Sequence, residues 1–152
     1  MLDRGLIGLR LPQATTTIEA GRIRRFAEAI DERGALYNDE QAARAAGYRS
    51  LIAPPTFVTT IRLDAYPAGD LYALAGLDLP RVLHGEQEFN YGVAVCAGDT
   101  LLLESEIVDV YDKSGGTLEF LVVATTGRNQ FDELAFESRS TLVLRRLPER
   151  TT

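Results

Sequence analysis

Apolar residues recur along this chain with two different periods, helical in the first half and alternating in the second. Residues 14–18, "ATTTI", are rich in β-branched side chains and predict a short first strand. In "EAGRIRRFAEAIDE" (residues 19–32), Ile23, Phe26, Ala27 and Ile30 fall at i, i+3, i+4 and i+7, which predicts an amphipathic helix ending near Asp31. A second short helix fits "DEQAARAAG" (residues 39–47). Asn38 or Asp39 can cap its start, acids fill its first turn, and Gly47 closes it. Pro54 and Pro55 then precede residues 56–66, where Phe57, Ile61 and Ala65 recur every four residues beside Val58. Proline is favourable at a first helical position, so this segment reads as a largely buried helix. Residues 67–80, with Gly69, Gly76 and flanking prolines, predict a loop holding a helical turn.

Beyond Pro80 the period is two. In "RVLHGEQEFNYGVAV" (residues 81–95), Phe89, Tyr91, Val93 and Val95 share one face, with Glu88 and Asn90 on the other. "AGDT" is a turn with no assigned chemistry. "LLLESEIVDVYD" is a long strand and "KSGG" a hairpin turn with glycines that tolerate positive φ. "TLEFLVVATTGRN" and "LAFESRSTLVLRR" are the last two strands, and "LPERTT" is a polar tail. The expected fold is α+β: one domain over residues 1–152, with a four-strand antiparallel meander wrapped around a central buried helix. Long strands around one apolar helix are the hotdog architecture. A doubly wound fold would need strands and helices alternating throughout.

Charge narrows the function classes. Against 22 acidic residues stand 16 basic ones, for a net charge of -6. A nucleic-acid surface needs clustered Lys and Arg, so none is expected. The one local cluster, "RIRR" at Arg22–Arg25, reads as a solvated helix face, with a CoA or carrier-protein phosphate as the alternative. Cys96 is the single cysteine, which excludes an intrachain disulfide and reads as a small buried hydrophobe. No Cys pair, His pair, HExxH or CxxC spacing points to a metal. The start, "MLDRGLIGLRLPQ", lacks the pattern of a signal peptide, and no apolar run approaches a membrane span. A cytoplasmic location is expected.

His84 is the only histidine, and Glu86 and Glu88 follow it closely. Three roles are open to it: a hydrogen-bonded strand histidine, a residue of a substrate channel or partner site, or a base working with Glu32, Glu86 or Glu88.

The stretches "FAEAIDERGALYNDEQAARAAGYRSLIAPPTFVTT" and "HGEQEFNYGVAVCAGDTL" resemble the MaoC-like hydratase/dehydratase family. The closer likeness is to its N-terminal-type, fatty-acid-synthase-like dehydratase domain, and it runs over roughly Gly5 to Leu147. The resemblance implies hydration of trans-2-enoyl thioesters, or dehydration of (R)-3-hydroxyacyl thioesters, on CoA or acyl-carrier protein. It implies no metal or redox cofactor.

The family motif is Asp, any residue, Asn, Pro, Leu or Ile, His, ahead of an "Ala-Gly-Tyr/Phe" segment. The histidine and aspartate handle water and the C2 proton. A backbone N–H at the start of the buried helix polarises the thioester carbonyl. Anchored on "AAGY", this chain has Glu32 at the aspartate, Gly34 at the asparagine, Ala35 at the proline, Leu36 at the aliphatic position and Tyr37 at the histidine. Tyrosine, with a pKa of about 10, is a poor base at neutral pH. No catalytic residue is therefore assigned.

The family includes paired proteins in which one hotdog half keeps Asp and His and the other has lost them. This chain resembles the half without them. The expected thioester-contacting residues are Tyr37, Pro55, Thr56, Phe57 and His84. The expected partner is a motif-bearing hotdog subunit, or a second copy, because a lone sheet leaves an edge to cover. Two alternatives stand beside this: a self-sufficient hydro-lyase using His84 and a nearby acid, and a non-catalytic acyl-thioester sensor.

Overall fold

The computed structural model describes residues 2–66, 71, 73–113, 115 and 117–145. Five strands form one antiparallel sheet: β1 (Ala14–Thr17), β2 (Val82–Tyr91), β3 (Thr100–Lys113), β4 (Leu118–Arg128) and β5 (Leu134–Arg145). Four helices precede most of the sheet: α1 (Ala20–Ala29), α2 (Ala35–Asn38), α3 (Glu40–Ala45) and α4 (Val58–Ala65). A 3-10 turn, Pro55–Phe57, leads directly into α4. The expected polar tail beyond residue 145 and residues 67–70 and 72 of the expected 67–80 loop lie outside the described residues.

Alternation builds the core. On β3, Leu101, Leu103, Ser105 and Ile107 are buried, while Leu102 and Glu104 between them are exposed. Leu121 and Val123 of β4 and Phe136 and Leu142 of β5 join the same apolar cluster. Phe57, Val58 and Ile61 press onto this surface from the helix side. Fully burying each such side chain is worth roughly 1.5–3 kcal/mol. Gly127 lies under the Phe136 ring, where a Cβ would come within 2.3 Å of Cε1. The caps follow the sequence. Asp39 accepts from the Gln41 and Ala42 N–H groups at 2.8 and 3.3 Å, and Gly47 closes α3 at φ +95°.

The strand order is β1-β3-β4-β5-β2, which corrects the expected four-strand meander. Only β3, β4 and β5 run as neighbours in chain order. β2 pairs with β5 and so forms the far edge. The reason lies in the residues after Tyr91, which are not a hairpin turn. Ala53 N–H donates to Val95 O and Ala97 N–H to Leu51 O, both at 2.8 Å. With their backbone groups engaged there, residues 95–97 carry the chain across to the other side of the sheet. The expected strand over 81–95 accordingly stops at Tyr91. Val93 is 39% exposed, whereas Val95 is buried in this separate pairing.

The "AGDT" turn has a structural role that its sequence did not disclose. Asp99, 1% exposed, accepts from Cys96 N–H at 2.8 Å, from Arg49 at 2.8 and 3.1 Å, and from Gln130 Nε2 at 3.1 Å. Arg49 also stacks over the Phe131 ring, 5.0 Å from its centroid. This corner ties the chain entering α4 to the start of β3. Among the described residues, no helix is long and apolar enough to cross a membrane.

Candidate functional site

The motif segment folds on itself. α1 ends at Ala29, a little before the expected stop, and Asp31 turns the chain at φ +55°. Glu32 is half-buried, and its Oε1 accepts from Gly34 N–H at 2.7 Å. Residues 35–38, expected as a polar connector, form the one-turn helix α2, which carries Tyr37 against the core cluster. A Cβ on Gly34 would lie 2.9 Å from Glu32 Oε1 and 3.2 Å from the Tyr37 ring. The three residues are thus packed around the absent side chain of Gly34. Glu32 opens onto a shallow cavity of about 370 Å³ that it shares with Arg24, Glu28, Asp31, Arg33 and Asn38. The lining carries both charge signs. Within "RIRR", Arg22 pairs with Asp64 and lies over the Phe57 ring, Arg24 donates to Asn38 O at 3.2 Å, and Arg25 is exposed.

The start of the buried helix is a second station. Pro55 and Thr56 are exposed there, but Phe57 is 1% exposed and meets the Phe26 ring edge-on at 5.3 Å. Phe57 therefore anchors the helix from below. Its N–H is turned back to Pro54 O at 2.9 Å and is not free for a ligand. Sequence reasoning missed Tyr91 here, reading it only as part of an apolar face. Tyr91 is 52% exposed, stacks on Phe89 at 5.8 Å and donates its hydroxyl to Pro55 O at 3.1 Å. Burial pushes its phenol above the ordinary tyrosine range, which keeps it a donor.

His84 occupies a third place. The β2–β5 register shifts between His84 and Glu86: His84 faces Leu142, Glu86 faces Thr141 and Gln87 faces Ser140. Gly85 is the extra residue of this bulge, and a Cβ on it would lie 2.6 Å from Val143 Cγ2. The bulge reverses the alternation. His84 would otherwise share a face with Glu86 and Glu88. Instead it lies on the helix-facing side with Gln87, Phe89 and Tyr91. Its ring Nε2 is 3.3 Å from Gln87 Oε1 and 3.4 Å from Ser140 Oγ. Seven positions of strand, on the order of 20 Å, separate it from Tyr91. The hydrogen bonds of His84 and Glu32 thus go to separate groups, and the structure does not join them as base and acid. Gln87 and Ser140 carried no sequence signal. Cys96 is buried, as expected, with its thiol 3.7 Å from Ala94 O. Among the described residues, no group of three or more His, Cys, Asp or Glu is placed to hold a metal ion.

Comparison with known proteins agrees with this architecture. The chain is 40% identical to a UPF0336 protein of Saccharopolyspora erythraea, over 95% of its own length and 92% of the relative's. It superposes on the HadBC (3R-hydroxyacyl-ACP dehydratase) complex of Mycobacterium tuberculosis with a TM-score of 0.78, at 26% identity, covering 91% of this chain and 96% of that one. The ChsH1-ChsH2 complex of the same organism gives a TM-score of 0.70 at 22% identity, covering 91% and 98%. Both structural relatives are hotdog complexes of two different subunits. The family model described as "FAS1-like, dehydratase domain region" matches residues 5–138. With that match and the long sheet around α4 in view, the chain belongs to the FAS1-like dehydratase region family of MaoC-like hotdog proteins.

Proposed function

We propose that this chain is the supporting subunit of an (R)-specific enoyl-thioester hydratase or 3-hydroxyacyl-thioester dehydratase. It binds the acyl thioester, on CoA or carrier protein, and pairs with a hotdog subunit that supplies Asp and His. The observation that carries this reading is Tyr37 at the histidine position, packed with Glu32 around Gly34. Hydration adds a water oxygen at C3 and a proton at C2, and dehydration reverses both. Each direction needs a base near neutrality and a proton donor. Glu32 is engaged by its own loop and Tyr37 lacks the basicity. The acid–base pair therefore comes from the partner. This chain contributes shape: Pro55 and Thr56 at the helix start with Tyr91 beneath, Phe57 as their anchor, and Tyr37 and His84 along the channel.

The two sheet edges support pairing through β2. β1 is an edge of four residues, short enough to be inert. β2 is an edge of ten, with Leu83 60% and Tyr91 52% exposed. Such an edge calls for another strand.

The test is loss of the enone absorbance of a short trans-2-enoyl-CoA, with the chain alone and with a co-expressed motif-bearing hotdog subunit. Activity only in the pair is expected. Strong activity of the chain alone, abolished by His84→Ala, would overturn the proposal in favour of a self-sufficient enzyme. Thioester binding without turnover in either case would favour a sensor.

A further inference from the structure

We infer that His84 is held as its Nε2–H tautomer and offers a bare Nδ1 to the neighbouring subunit's site, as an acceptor for the hydroxyl of a 3-hydroxyacyl thioester. The inference rests on the proposed thioester-binding role and on pairing through β2.

The tautomer follows from donors and acceptors. Gln87 Nε2 donates to Glu88 O at 3.2 Å and to Arg139 O at 3.1 Å. Two carbonyls fix the amide, because the flipped orientation would set oxygen against oxygen. Gln87 Oε1 therefore faces Ser140 and His84. Ser140 spends its one proton on Gln87 Oε1. Both atoms near His84 Nε2 are now acceptors, so Nε2 must carry the proton. Neutral imidazole then has its lone pair at Nδ1, which has no partner among the described residues, on an exposed side chain. The Gly85 bulge is what turns this ring to the helix-facing side.

The destination follows from symmetry. Two corresponding edge strands of like-folded subunits, joined across a two-fold or pseudo-two-fold axis, run antiparallel. Pairing about the strand midpoint forms the most backbone hydrogen bonds over Val82–Tyr91. It sets the His84 end of one β2 beside the Tyr91 end of the other. A two-fold axis perpendicular to the sheet leaves both helices on one side. His84 of one subunit thus reaches the place where the other subunit's buried helix begins. A neutral acceptor there bonds a hydroxyl and has nothing to bond on the corresponding enoyl carbon. His84 becomes a residue that tells the hydrated thioester from the dehydrated one.

Because His84 is the only histidine, one spectrum reads it directly. The full chain, labelled with ¹⁵N-histidine and paired with an unlabelled motif-bearing subunit whose catalytic histidine is replaced, is observed at mildly alkaline pH, where histidine side chains are neutral. We expect a protonated Nε2 and a bare Nδ1, with Gln87→Leu relaxing this towards a mixture. Adding 3-hydroxybutyryl-CoA should move Nδ1 in the direction of an accepted hydrogen bond, and crotonyl-CoA should not. His84→Ala should weaken 3-hydroxybutyryl-CoA binding about tenfold and crotonyl-CoA binding by a clearly smaller factor, and equal losses would overturn the inference. A proton on Nδ1, or a pair that fails to form, overturns the inference. So does calorimetric binding of both thioesters without movement of Nδ1, which leaves the thioester-binding role standing. Binding of neither overturns that role as well.

Discussion

The corner around Asp99 and the edge strand β2 are both built from polar residues beside an apolar core, yet they end in opposite conditions. At the corner every strong group finds its partner inside the chain: Asp99 takes Arg49, Cys96 N–H and Gln130, and Phe131 covers the arginine. At β2, Gln87 and Ser140 satisfy each other and one face of His84, but the ring's other nitrogen stays open. So does the outer backbone edge of the strand, since among the described residues β5 is its only neighbour in the sheet. The difference separates two uses of polarity. A closed network adds stability and specifies one backbone path. An open one is poised for another molecule.

The comparison is easiest to break at the corner. Asp99→Ala strands a half-exposed arginine, a buried amide and Gln130, and should cost about 3 kcal/mol, read as a lowered urea midpoint. Little of the thioester affinity of the folded fraction should be lost, and a collapse of that affinity would mean the corner belongs to the site. Gly85→Ala attacks the edge instead. Its Cβ meets a stiff β-branched side chain, and about 2 kcal/mol is expected from the overpacking. Val143→Ala in the same chain should recover part of that loss. An unchanged midpoint would show that the bulge tolerates a side chain.

The smallest expected effect comes from a surface clasp. Hydrogen bonds from Arg44 and Ser50 hold the Glu40 carboxyl below its ordinary range. A lowered folded-state pKa contributes stability that is present above the unfolded value of about 4.3 and lost as pH falls through the folded value. Glu40→Gln should therefore melt slightly earlier than the parent at neutral pH, with the gap closing in acid. A gap that persists in acid would assign the effect to packing.

Much of the fold was legible because local rules sufficed. The alternation Leu101, Leu103, Ser105, Ile107 marks the inward face of β3, and Asp39 and Gly47 mark the ends of α3 without reference to anything distant. The proposed departure from the family motif rests on equally local information, since it needs only residue identity at Tyr37. The site was less legible. A glycine within a strand hints at a bulge, but which way the bulge turns His84 depends on the register with β5. Nothing local to Ser140 announces a bond to Gln87, and the run from Tyr91 to Val95 looks like one strand until its backbone is paired with residues 51–53.

The sequence by itself determined the helix and strand content, the burial pattern of β3–β5 and the residue, Tyr37, that the resemblance sets at the family's histidine position, because period and residue type are properties of near neighbours. Only the tertiary structure decided the order β1-β3-β4-β5-β2, the closure of the Asp99 corner, and the face that His84 takes. Each of these depends on hydrogen bonds between groups tens of residues apart, whose pairing no local pattern encodes.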